Sequence, residues 1–123
     1  MTALIDSSSW VDFFAGATRG KPVQTLLDSG EKIIMSSINL FEIYSKFFKY
    51  SEQEADEKRF FLLARTEVVP ADKEIVVSAA KLKIQRGLSL ADAIVWATAE
   101  KHGAKLVTAD RDFRGYMPLE LLR

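Results

Sequence analysis

Short apolar runs alternate along this chain with longer stretches in which apolar residues recur at helical spacing. That alternation is the pattern of βα units arranged around a parallel sheet. Ala3–Ile5 reads as a first strand, followed by a helix over Ser7–Ala15 that carries Trp10, Val11, Phe13 and Phe14 and stops at Gly16. Pro22 suits the first turn of a second helix, Pro22–Asp28, which ends before Gly30. Lys32–Met35 is the second strand, and the serines at 36 and 37 offer a cap for a helix over Ile38–Tyr50. Ser51–Ala64 is a charged helix with Phe60, Phe61, Leu62 and Leu63 near its end, and Glu67–Val69 is a third strand halted by Pro70. Asp72–Arg86 and Leu90–His102 read as two further helices, closed by Gly87 and Gly103, the second capped by Ser89. Lys105–Val107 is a fourth strand, and Leu119–Leu122 a fifth, placed at an edge because Pro118 precedes it. The pattern predicts one α/β domain with a parallel sheet, without internal repeat or linker.

Composition narrows the classes. A hydrophobic fraction of 48% supports a packed core in a chain of 123 residues. Lys plus Arg and Asp plus Glu each total 17, so the net charge is zero and any nucleic-acid contact must rest on a local basic patch or a metal. The chain has no cysteine, which removes disulfides, thiolate metal sites and cysteine nucleophiles. No apolar stretch approaches the ~20 residues of a membrane helix, and Asp6 interrupts any apolar leader, so a cytoplasmic protein is expected.

Candidate chemistry lies in the acids. Asp6 ends the first strand and Asp110 follows the fourth, with Asp112 close behind; Glu42 and Asp92 fall near the starts of two helices. All these positions belong to the carboxyl edge of a parallel sheet, where ligands bind in open α/β folds. Carboxylates gathered there repel one another unless a cation intervenes, and hard divalent ions prefer oxygen. Each acid also has a purely structural reading. Asp6 suits a helix N-cap, Asp92 a capping box with Ser89, Glu42 a favourable place in the helix dipole, and Asp110 and Asp112 a turn.

At these residues the chain resembles the PIN domain family, and within it the VapC-type toxins of bacterial and archaeal toxin–antitoxin pairs. The matching segments are 4–10 (LIDSSSW), 37–43 (SINLFEI), 90–94 (LADAI) continuing to 97–99 (ATA), and 106–113 (LVTADRDF), in family order over nearly the whole chain. The resemblance implies a three-layer α/β/α fold with a central parallel sheet of about five strands, and an endoribonuclease dependent on Mg²⁺ or Mn²⁺. It places the metal-site role on Asp6, Glu42, Asp92 and Asp110, and an assisting role on Asp112. Ser7 and Thr108 match hydroxyls that orient the acids or the scissile phosphate. It further implies an RNA substrate, a cognate antitoxin and a homodimer. A catalytically silent scaffold binding RNA or protein, and a DNA-directed nuclease or phosphatase, are the alternatives.

Trp10 and Trp96 lie on apolar helical faces as core anchors, and His102, the one histidine, sits at a helix C-terminus. Phe41, Tyr44, Phe47, Phe48 and Tyr50, with Phe60 and Phe61, make an aromatic cluster readable as helix packing or as a partner surface. Lys46, Lys49, Lys58, Arg59 and Arg65 nearby are solvated charge or contacts to phosphate, and Arg111 either clamps phosphate or pairs with a carboxylate.

Overall fold

The structure, a computed structural model, describes residues 1–122. Five strands form one sheet: β1 (Ala3–Ile5), β2 (Ile33–Ser36), β3 (Glu67–Val69), β4 (Lys105–Thr108) and β5 (Leu119–Leu121). Their order is β3-β2-β1-β4-β5 and every pairing is parallel, with Leu4 beside Ile34 on one side and Leu106 on the other. The chain thus winds outward from β1 to β3, then returns to the other flank of β1 for β4 and β5. The reversal opens a crevice at the carboxyl ends of β1 and β4, the place where such sheets bind ligands.

Six helices cover the sheet: α1 (Ser7–Phe14), α2 (Lys21–Ser29), α3 (Ser37–Phe48), α4 (Glu52–Arg65), α5 (Lys73–Arg86) and α6 (Leu90–Lys101). Side chains alternate across each strand and so feed two separate cores. Ala3, Ile5, Ile33, Met35 and Val107 pack with Trp10, Val23, Leu26, Ile43 and Leu62 from the first four helices. Leu4, Ile34 and Leu106 face the other way, onto Ile75 and Ala79 of α5 and Ala93, Trp96 and Ala97 of α6. Burial on both faces explains why the central strands are continuous apolar runs. The result is the three-layer arrangement expected from the sequence. Trp10 and Trp96 are core anchors, 0% and 3% exposed.

The helices begin where polar side chains cap them. Asp6, Ser36, Ser51, Asp72 and Ser89 each accept a backbone N–H of the helix they precede. Asp72 and Ser51 were expected inside their helices; both have extended backbones and stand just outside. The helix expected to reach Tyr50 stops at Phe48, because Ser51 must turn outward to cap α4. His102 is the C-cap of α6. Of the two 3₁₀ turns, Thr18–Gly20 and Arg111–Phe113, only the second had a counterpart in the sequence, the turn read at Asp110 and Asp112. In the first, a Cβ on Gly20 would lie 2.4 Å from the Phe13 Cα, so only glycine allows this turn to rest on α1. Among the described residues no helix is long and apolar enough to cross a membrane.

Candidate active site

Asp6 stands at the end of β1 and is only 7% exposed. Its Oδ1 accepts the Ser7 backbone N–H at 2.9 Å, so the structural reading as an N-cap holds. The cap does not exhaust the carboxylate. Thr108, at the end of β4, donates its hydroxyl to Asp6 Oδ2 at 3.0 Å. The pairing of β1 with β4 brings these two residues together although 102 positions separate them. The same threonine oxygen accepts the Asp110 backbone N–H at 2.9 Å, which orders the turn after β4. Asp110 in turn caps the 3₁₀ turn by accepting the Asp112 N–H at 2.9 Å.

Glu42 comes from the other side, one turn into α3. Ser7 donates its hydroxyl to Glu42 Oε1 at 2.7 Å. Asn39, fully buried on the same helix, donates its side-chain amide to Ser7 Oγ at 2.9 Å and, at a longer 3.4 Å, to Asp6 Oδ1. Asn39 is a residue that sequence reasoning quoted within a motif without giving it a role. Its position three residues after Ser36 was the available signal, since that spacing defines a capping box.

Asp92 enters from the first turn of α6. Asp92, Asp110 and Asp112 each offer an oxygen within 4.8 Å of the others, the tightest acidic group among the described residues. Asp6, Glu42, Asp92 and Asp110 line a single cleft of about 410 Å³, together with Ser7, Ser8, Val11, Asp12 and Lys46. All four acids thus line one cleft, while the tight group consists of Asp92, Asp110 and Asp112, with Asp6 and Glu42 outside it. Lys46 is the one cation among the residues lining the cleft. Arg111 is exposed, and among the described residues it forms no ion pair, so the carboxylate-pairing alternative is not realised.

Crowding changes the acids' protonation. Burial pushes Asp92 up from 3.8 to about 7, and the charges of Asp110 and Asp6 add to it, while the Ser89 hydroxyl works the other way. Burial also raises Asp6, against the Ser7 amide and Thr108 hydroxyl that favour its ionised form; Glu42 and Asp110 raise it further. Two carboxyls that resist ionisation in one cleft are groups whose charge a cation would stabilise. The donors are carboxylate and hydroxyl oxygens without sulfur or imidazole, a set matched to Mg²⁺ or Mn²⁺.

The PIN domain family model matches residues 3–116. The chain belongs to the PIN domain family. No curated protein sequence matches it. Among solved structures, this PIN domain is similar to a chain of a toxin–antitoxin complex from Klebsiella pneumoniae, with 27% identity, 96% of this chain and 95% of the other covered, and a TM-score of 0.82. It is also similar in fold to a chain of VapBC2 from Rickettsia felis bound to a promoter DNA fragment, at 20% identity, complete coverage (100%) of both chains and a TM-score of 0.79. The third likeness is to VapC20 of Mycobacterium tuberculosis, a toxin that cleaves the sarcin–ricin loop, at 19% identity, 100% coverage of both chains and a TM-score of 0.77. The PIN fold of this chain is thus the one adopted by VapC-type toxins, as the four sequence segments implied.

Proposed function

We propose that this PIN domain is a divalent-metal-dependent endoribonuclease, the toxin of a type II toxin–antitoxin pair. The observation that carries the reading is the convergence of Asp6, Glu42, Asp92 and Asp110 on one cleft at the switch point of the sheet. The likeness to the Klebsiella toxin–antitoxin complex and to the Mycobacterium toxin that cleaves the sarcin–ricin loop supports the assignment of an antitoxin partner and an RNA substrate.

Asp6, Glu42, Asp92 and Asp110 would hold the ion, with Asp112 beside them. Bound Mg²⁺ or Mn²⁺ supplies a water-derived nucleophile at neutral pH and offsets charge on the phosphate in the transition state. The chain's residues do the remainder. Thr108 and the Ser7 amide fix Asp6, the Ser7 hydroxyl fixes Glu42, and the Asp110 turn holds Asp112 close to Asp92 and Asp110. In this reading Asp112 would orient the attacking water, and Lys46, which lines the cleft, would meet a phosphate of the substrate strand.

Attack by water leaves 5′-phosphate and 3′-hydroxyl ends, whereas use of the RNA 2′-hydroxyl leaves a cyclic phosphate. End-group analysis of RNA cut in Mn²⁺ checks this, and cyclic ends would refute the mechanism. Asp6→Asn retains a capping side chain, so it should fold and yet lose cleavage by orders of magnitude. A fully active Asp6→Asn protein would remove Asp6 from the site. The same reading includes a homodimer, to be checked by light scattering of the isolated chain.

A further inference from the structure

The hydrogen bonds around Ser7 run in one direction. Asn39 Oδ1 accepts the Ser36 backbone N–H at 3.1 Å, and a backbone N–H can only donate. That contact settles which way the Asn39 amide faces: its oxygen points to the cap of α3 and its NH₂ to the cleft. The NH₂ then donates to Ser7 Oγ at 2.9 Å. With its oxygen accepting from Asn39, Ser7 has one proton left, and that proton lies on the short 2.7 Å bond to Glu42 Oε1. Asn39 and Ser36 are both 0% exposed, so water does not compete for the contact that orients the amide.

Thr108 follows the same scheme on the other side of Asp6. A backbone N–H, from Asp110, donates to the hydroxyl, and the hydroxyl donates to a carboxylate. In both cases a hydroxyl whose proton could rotate is held to one acid. The two arms differ in how the first donor is supplied: β4 and its turn supply it directly, whereas α3 supplies it through a side chain.

We infer that Asn39 is a positioning residue of the site, whose buried amide sets the Ser7 proton on Glu42 and so holds Glu42 toward Asp6 for a divalent ion. This rests on the metal-dependent reading of the cleft. Asn39 thereby couples the cap of α3 to the geometry of the carboxylates and ties α1 to α3 across Asp6.

The test is a double-mutant cycle on the full chain with Ser7→Ala and Asn39→Ala, read by Mn²⁺ titration calorimetry and by kcat and KM on an RNA oligonucleotide. Loss of such outer support lowers metal affinity or activity by roughly 10- to 100-fold. Asn39→Ala should therefore weaken Mn²⁺ binding and lower kcat by about that factor, leaving KM for RNA within about twofold. Once Ser7 is alanine, removing Asn39 should add only the small loss of its longer 3.4 Å bond to Asp6, well short of the sum of the two single losses, since its shorter bond acts through Ser7. A role confined to capping α3 would instead lower the melting temperature and leave Mn²⁺ affinity unchanged, or give additive losses; either result overturns the inference. Should Asn39→Ala fail to fold, Asn39→Ser replaces it in the cycle, because a serine can still cap but is too short to reach Ser7. Failure of the wild-type protein itself to bind Mn²⁺ would refute the metal-dependent reading and this inference with it. Wild-type binding and turnover with folded Asn39 variants equal to wild type would overturn this inference alone.

Discussion

At the scale of the residue, the site is a problem of unpaired negative charge. Asp92 holds its proton to about 7, with burial the largest cause and Asp110 and Asp6 next. Its carboxyl in the unfolded chain titrates near 3.8, so between those values the folded state binds the proton and the unfolded state does not. Stability of the metal-free protein should therefore fall as pH rises from about 4 to about 7, the reverse of an ion-paired carboxylate. Asp6, also raised, contributes in the same direction. Melting temperature against pH checks this: the fall should be shallower in Asp92→Asn, and saturating Mg²⁺ should raise the melting point most at the high end. A flat profile in metal-free wild type would contradict the crowding argument. Lys46, the cleft's cation, gives a second prediction. Lys46→Ala should raise KM for an RNA oligonucleotide with little change in kcat, and reduce the slope of log affinity against log salt by about 1. Asp6, Asp92 and Asp110 were legible in the sequence because each follows a strand or opens a helix, and Glu42 because it lies one turn into the helix after β2. Asn39 was not, because what its amide touches depends on how α1 and α3 cross, and no local pattern records that.

At the scale of the element, patterning named the strands and helices well, and its misses have specific causes. A single 3₁₀ turn has no periodicity to detect, so Thr18–Gly20 went unread, whereas the aspartates at 110 and 112 marked the turn over Arg111–Phe113. The ends of α3 and α4 moved because capping by Ser51 outweighed the helical spacing of its neighbours. The aromatic cluster divides along the same elements. Phe47 and Phe61 pack with Trp10, Phe13 and Phe14, with rings 5.6 Å apart between Phe14 and Phe61. Phe41, Tyr50 and Phe60 are instead largely exposed, at 65%, 75% and 78%. The packing reading thus holds for the inner rings, while the outer ones are left on the surface. Gly20 supplies the prediction at this scale. Gly20→Ala pushes a methyl against the backbone of α1 and should destabilise the fold by about 1–3 kcal/mol, the usual range for overpacking. Denaturant unfolding would show it as a lowered midpoint at unchanged slope; a wild-type midpoint would mean the turn shifts freely.

At the scale of the whole molecule, strand order decides function more than any single motif does. The reversal after β3 sets β4 beside β1, and only then do Asp6, Thr108 and Asp110 become neighbours. Order of the strands is not written in their apolar pattern; it is the structure that sets β4 beside β1. Zero net charge, read early as offering no general attraction for RNA, fits a cleft that concentrates acids; under the proposed function, substrate attraction would fall to a bound ion and Lys46. The central claim is that this cleft holds a divalent cation through its carboxylates. Titration calorimetry of Mn²⁺ into the metal-free protein, in two buffers of different ionisation enthalpy, tests it most directly. The account predicts saturable binding, with proton release seen as a buffer-dependent heat, and strong weakening of both in Asp92→Asn. Absence of binding in the wild type, or undiminished binding in Asp92→Asn, would contradict it.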